Sequence, residues 1–172
     1  IVSWKKQQVP QEPLPNWDEY FMSQAMLAAT RSKDSQWQAG CVLVKDRRII
    51  GTGYNSWPKG MPDHLIPNVR PDKYDWVIHS EVNALANCVG DPSGATCYTN
   101  GQPCLECLKT CYQNDITDFV ITKGKANMVQ NSRDNQFAVY QCLTEWGKIN
   151  IREIEITKAT LERTLKIFDQ SN

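Results

Sequence analysis

Two short clusters constrain this 172-residue chain more than any other feature. His79-Ser80-Glu81 opens one predicted helix and Pro103-Cys104-Leu105-Glu106-Cys107 opens another, with His79 and Cys104 25 positions apart. Either cluster alone is weak, because His-x-Glu arises by chance and a Cys-x-x-Cys also serves as a redox pair or buried filler. Together, at two helix starts, they call for a fold in which those starts meet. Pro103 suits the first helical position, where its missing N–H would have had no acceptor anyway. Cys104 and Cys107 then stand at i and i+3 on one face, so both sulfurs reach the same ion. Two converging helix N-termini present positive dipole ends, which favour thiolates.

Zinc takes imidazole and thiolate, and three protein ligands (His79, Cys104 and Cys107) leave its fourth tetrahedral position for a water. Such a water drops in pKa from roughly 15.7 to about 7. Glu81, two positions from His79, reads as the base that accepts its proton and hands it on. A closed structural site is the alternative, with His64 or a spare cysteine as fourth ligand, and a chain without metal is another. His64 with Asp63 also suggests a second metal site.

The elements around these clusters alternate. Asn16 followed by Glu19 predicts a capping box opening a helix over 17–31. Cys41–Val44 and Arg48–Tyr54 are β-rich runs around a polar Lys45-Asp46-Arg47 turn, a predicted hairpin. Pro58, Pro62, Pro67 and Pro71 mark a long irregular loop. Helices follow over 79–87, 103–113, 136–146 and 159–168, and strands over 95–99, 119–122 and 149–156. Gly147 suits the left-handed residue after the third of these helices. The expectation is an α/β fold, a three-layer α/β/α sandwich on a mixed five-stranded sheet. Residues 1–16, with Pro10, Pro13 and Pro15, read as an extended arm before a single domain over 17–172.

Composition narrows the function classes. Nineteen Lys and Arg against nineteen Asp and Glu give zero formal charge, which weighs against nucleic acid as the main ligand. No apolar run approaches the roughly 20 residues that span a bilayer, and the first residues carry no secretory pattern, so a cytoplasmic chain is expected. Seven cysteines, an odd number, point to reduced thiols rather than a disulfide framework. Cys41, Cys88, Cys97, Cys111 and Cys142 read as core fillers. Trp37 and Trp57 flank the expected cleft.

His-x-Glu followed by Pro-Cys-x-x-Cys is the signature of zinc deaminases. Further segments resemble the deoxycytidylate (dCMP) deaminase family within the zinc-dependent cytidine deaminase superfamily. They are Trp17–Met22, Arg31-Ser32-Lys33-Asp34, Gly40–Val44, Gly53-Tyr54-Asn55-Ser56 with Pro58 and Gly60, Lys73-Tyr74 and His79–Leu85. The similarity runs from about Trp17 to Ile121. Ser80 stands where the family usually has Ala, and Ser56 replaces the last Gly of Gly-Tyr-Asn-Gly. Lys123–Ala126 lacks an aromatic residue that many members place near the substrate.

The resemblance implies a cytidine deaminase-like fold and a zinc-dependent hydrolase acting on a cyclic amidine C–N bond, converting dCMP and water to dUMP and ammonia. It implies Asn55 on the nucleotide and the Ser80 backbone N–H on the cytosine O2. It implies a regulatory nucleotide site that includes Gly53, Tyr54, Asn55 and Ser56, taking dCTP or dTTP together with Mg2+, and a homo-oligomer, commonly a hexamer. Lys33, Lys59 and Lys73 are the phosphate-binding expectations. Alternatives are dCTP or a 5-substituted dCMP as substrate, a tRNA or single-stranded DNA deaminase, and a non-catalytic zinc module.

Overall fold

The computed structural model describes residues 13–124 and 134–170. Most of the expected arm, 1–12, lies outside the described residues, as does the Lys125-Ala126 part of the Lys123–Ala126 segment. Helix α1, Trp17–Ala29, opens on the capping box: Asn16 accepts the Glu19 N–H while the Glu19 carboxylate accepts the Asn16 N–H. It ends two residues before the expected 31, where Thr30 caps it.

Strands β1 (Gly40–Lys45) and β2 (Arg48–Tyr54) form the hairpin. Asp46 and Arg47 both take positive φ, the geometry that matches a two-residue turn to the strand twist. The loop after β2 holds only two 3-10 turns, Asp63–Leu65 and Asp72–Asp75. There follow α2 (Ser80–Ala86), β3 (Thr96–Thr99), α3 (Leu105–Tyr112), β4 (Asp118–Thr122), α4 (Asp134–Glu145), β5 (Asn150–Ile154) and α5 (Lys158–Asp169).

The sheet order is β2-β1-β3-β4-β5. β1 runs antiparallel to β2 and β3, whereas β3, β4 and β5 run parallel, so the sheet is mixed as expected. Alternate residues of each strand feed opposite layers. Cys41, Leu43, Cys97 and Phe119 pack with Ala84 of α2, Leu108 and Cys111 of α3 and Tyr140 of α4. Val42, Val44, Tyr98 and Val120 pack with Phe21, Met22 and Ala25 of α1. Buried Glu19 also accepts the Thr157 N–H at 2.8 Å, tying the start of α5 to α1.

Four local expectations are corrected. Pro103 is not the first helical residue, because Cys104 takes the N-cap position of α3 with extended backbone. The left-handed residue after α4 is Lys148 rather than Gly147. Gly147 is needed for closeness instead, since a Cβ there would sit 2.4 Å from the Leu143 carbonyl oxygen. β5 spans 150–154 rather than 149–156, because its ladder partner β4 offers only Asp118–Thr122. Cys142 is exposed on α4, and Cys88 is half-buried, whereas Cys41, Cys97 and Cys111 are core residues.

α2 lies on β2 at backbone contact. A Cβ on Gly53 would meet the Ser80 carbonyl oxygen at 2.2 Å and the Ala84 nitrogen at 2.3 Å, both backbone atoms with little freedom to yield. Gly53→Ala therefore forces α2 outward and is expected to cost at least about 1–3 kcal/mol. Urea unfolding monitored by circular dichroism measures this as a lowered midpoint.

Candidate functional site

His79 is the N-cap residue of α2 and Cys104 that of α3, so each occupies the turn-like position just before its helix. Cys107 follows in the first turn of α3 and donates its N–H to the Cys104 sulfur at 3.5 Å. The fold brings these residues together: His79 Nδ1 lies 3.3 Å from each sulfur, and all three donor atoms fall within 4.8 Å of one another. Zinc bonds of about 2.1 Å to nitrogen and 2.3 Å to sulfur give tetrahedral edges of roughly 3.6 Å. Those edges are a few tenths of an ångström longer than the separations found, so a small outward movement seats the ion, and the donor set fits zinc. Among the described residues no other group of three or more His, Cys, Asp or Glu donors gathers within ligating reach. Neither His64 nor a spare cysteine joins the three, and Asp63 pairs with Lys33 instead.

Protonation of the metal-free set is uneven. A hydrogen bond from the Cys107 thiol, aided by His79, lowers the Cys104 pKa to about 4, which favours the thiolate on that sulfur. Sharing with the Cys104 thiolate pushes the Cys107 thiol far up, and the same sulfur raises His79 above its ordinary value. Glu81 is only 5% exposed, and burial raises its carboxyl above the usual range. The Ser80 hydroxyl donates to Glu81 Oε2 at 3.0 Å, a contact that an alanine at this position lacks. The Ser80 N–H sits at the first helical position, where no intrahelical acceptor exists.

His79, Ser80, Glu81 and Cys104 open on a cleft of about 230 Å3, with Asn55, Arg70, Lys73 and Gln102 also in its wall. Asn55 is heavily committed: its Nδ2 donates to the Trp37 carbonyl at 2.9 Å and to Asp34 at 3.3 Å, while Oδ1 accepts the Ala39 N–H at 2.8 Å. One lone pair of Oδ1 is left, suited to a hydroxyl donor.

Lys73, 2% exposed, places Nζ 2.6 Å from both oxygens of buried Asp34. Burial pushes the Asp34 carboxyl up. The Lys73 ammonium and the N–H groups of Gln36 and Trp37 outweigh it and hold the carboxyl below its ordinary range. Gln102 donates to the Tyr140 hydroxyl at 2.9 Å, and its buried Oε1 has no partner among the described residues.

A second cavity, about 600 Å3, is lined by Arg31, Lys33, Tyr54, Ser56, Trp57 and Lys59, among others. The Gly53–Ser56 segment is thus divided. Gly53 is packed against α2, Tyr54 and Ser56 face the larger cavity, and Asn55 faces the cleft. The Ser56 hydroxyl accepts from Asn83 Nδ2 at 3.1 Å. Of the two tryptophans expected at the cleft, Trp37 lines it and Trp57 lines the larger cavity. Lys33 and Lys59 also stand away from the cleft. Asp34, Arg70 and Gln102 escaped the sequence reading as site residues. Arg31-Ser32-Lys33-Asp34 marked the end of α1, yet nothing local pointed to a partner 39 positions on.

Residues 15–123 match the family of the cytidine and deoxycytidylate deaminase zinc-binding region. Deoxycytidylate deaminase of Mus musculus is 38% identical over 117 residues, covering 63% of this chain. That stretch spans 66% of the mouse protein, just under two-thirds of its length. The deoxycytidylate deaminase of Mycobacterium phage D29 is 41% identical over 124 residues, covering 63% of this chain and 96% of the phage protein. The crystal structure of dCMP deaminase from cyanophage S-TIM5 in complex with dCMP and dUMP shares the fold, with a TM-score of 0.63. It is 20% identical and covers 83% of this chain and 99% of that one.

In the metal-free site the Cys104 sulfur strengthens the hold of Cys107 and His79 on their protons, and metal uptake competes with those protons. Raising the pH removes their competition, so apparent zinc affinity rises with pH, by about tenfold per unit for each proton displaced. Competition against a chromophoric chelator between about pH 6 and about pH 8 measures the slope. A flat profile contradicts the protonation described.

Proposed function

This chain belongs to the cytidine and deoxycytidylate deaminase zinc-binding family, and we propose that it converts dCMP and water to dUMP and ammonia. The observation that carries this reading is a buried Glu81 carboxyl on the same cleft as His79 and Cys104, which gather with Cys107 into one donor set. In this reading those three residues hold one zinc ion per chain, within a single deaminase domain over 17–172 preceded by the 1–16 arm. Zinc supplies a water whose pKa lies near neutrality.

Glu81 does the proton work. Burial raises the carboxyl above its usual range, which suits a group that accepts a proton from water and delivers it to N3 of cytosine. The oxygen of that water bonds to C4. Glu81 then takes the second proton from it and carries it to the exocyclic amine, so that the C4–N bond breaks, ammonia leaves and C4 keeps a carbonyl oxygen. Ser80 orients the base in two ways: its hydroxyl holds the Glu81 carboxylate, and its free N–H is the donor for the cytosine O2. Asn55 accepts a sugar hydroxyl on the lone pair its own contacts leave available.

Regulation belongs to the larger cavity in the same proposal. Tyr54 and Ser56 on its wall, with Arg31 and Lys59, suit a triphosphate, dCTP or dTTP, accompanied by Mg2+. The assembly is a homo-oligomer, hexameric by family resemblance, acting in the cytoplasm; among the described residues no helix is long and apolar enough to cross a membrane.

Glu81→Gln is expected to retain zinc and dCMP binding while losing about 10²–10⁴ of the turnover, read by ammonia release from a panel of dCMP, dCTP and 5-substituted dCMP. Turnover near the wild-type rate rejects the assigned role. A dCMP saturation curve with each triphosphate, run beside light scattering, is expected to shift its midpoint. Hyperbolic curves from a monomer, unmoved by either triphosphate, reject the regulatory part alone.

A further inference from the structure

Resting on the deaminase reading above, we propose that Arg70 receives the 5′-phosphate of the nucleotide and so sets the preference for nucleotide over nucleoside. Among the described residues two cations line the cleft, Arg70 and Lys73. Lys73 is taken. Its ammonium is buried with both Asp34 oxygens at 2.6 Å, and turning it toward a phosphate would strand a buried carboxylate. The pair adds no net charge to the cleft. Lys33, Lys59 and Arg31 stand in the larger cavity, and Lys33 is paired with Asp63 there.

Arg70 differs in each respect. It is exposed, so a phosphate it binds keeps much of its hydration while the base goes to the buried Glu81. Among the described residues no carboxylate pairs with its guanidinium, which lies 5.7 Å over the Tyr74 ring, also part of the cleft wall. A planar guanidinium offers two parallel N–H donors to phosphate oxygens, and an aromatic face beneath it leaves that edge available.

The backbone beneath the side chain is fastened. The Arg70 N–H donates to Gln36 Oε1 at 3.1 Å. Two residues earlier, Asn68 accepts the Ser35 N–H at 3.0 Å and donates to the Lys33 carbonyl at 2.8 Å. This stitches the Arg70 segment to the turn carrying Asp34, which in turn holds Asn55. The arginine and the proposed sugar contact are therefore held by one hydrogen-bonded unit, at a distance that the chain itself maintains.

The experiment uses the full zinc-loaded chain as wild type, Arg70→Gln and Arg70→Lys, with dCMP and deoxycytidine compared both in turnover and in calorimetric binding. Arg70→Gln is expected to lose about 10- to 100-fold in kcat/KM for dCMP, mainly through KM, as fits the loss of a charge-assisted contact. Deoxycytidine, which lacks the phosphate, should change by no more than about twofold on the same scale. Arg70→Lys should recover part of the dCMP loss, because it keeps the charge without the fork. An Arg70→Gln variant with an unchanged KM for dCMP overturns the assignment. Equal losses on both substrates also overturn it, since they would mean that Arg70 only shapes the cleft. A wild type that binds dCMP more tightly than deoxycytidine, with the difference erased in Arg70→Gln but no ammonia released from either, would sink the deaminase reading and leave Arg70 standing.

Discussion

Donor atoms from two separate helices can share one ion only if both helix starts are held within a few ångströms, and much of the surrounding packing answers to that demand. His79 and Cys104 each sit at the N-cap, the last non-helical residue, so their side chains turn toward the gap between α2 and α3. α2 reaches that position because β2 offers Gly51 and Gly53 beneath it, where any Cβ would strike helix backbone. α3 reaches it from β3, whose Cys97 packs under the same layer as Cys111 and Leu108. Cysteine suits this floor, being small, apolar and tightly packed. The same closeness raises Glu81, since a carboxyl excluded from water beside a thiolate prefers its neutral form.

A second constraint, the buried ion pair of Asp34 and Lys73, organises the opposite wall. Such a pair stabilises a fold little in net terms, because desolvating two charges offsets most of their attraction. Its value is positional. Asp34 Oδ1 accepts the N–H groups of Gln36 and Trp37 while its other oxygen holds Asn55, so one carboxylate fixes a turn, an aromatic wall and a polar side chain. With Lys73 neutralised in this way, Arg70 is the remaining Lys or Arg among the described residues of the cleft wall.

Much of the fold was legible because its cues are local. The Asn16–Glu19 box, the β-rich runs of the hairpin and its polar turn each act within a few residues, and the start of α1 and the hairpin lie where those patterns stand. The misplacements have physical causes. The expected end of β5 failed because a strand extends only as far as its ladder partner. Pro103 lies two positions before the first helical residue, because the Cys104 sulfur takes the cap by accepting the Cys107 N–H. Gly147 was read as a conformational device when its role is steric.

The grouping within each cluster was determined by sequence alone, since His79-x-Glu81 and Cys104-x-x-Cys107 each need only a helix start to present their side chains together. Tertiary structure decided how the remaining polar residues are divided. Tyr54 and Ser56 face one cavity and Asn55 another although they are consecutive, because successive residues leaving a strand alternate in direction and meet different layers. Lys73, which reads like any surface lysine, is buried by a carboxylate 39 positions away. Arg70, in a proline-rich loop without a pattern, lines the cleft because its backbone is pinned to the turn beyond α1. A charge acts on whatever lies nearest in space, and for these residues that neighbour is set by the path of the whole chain.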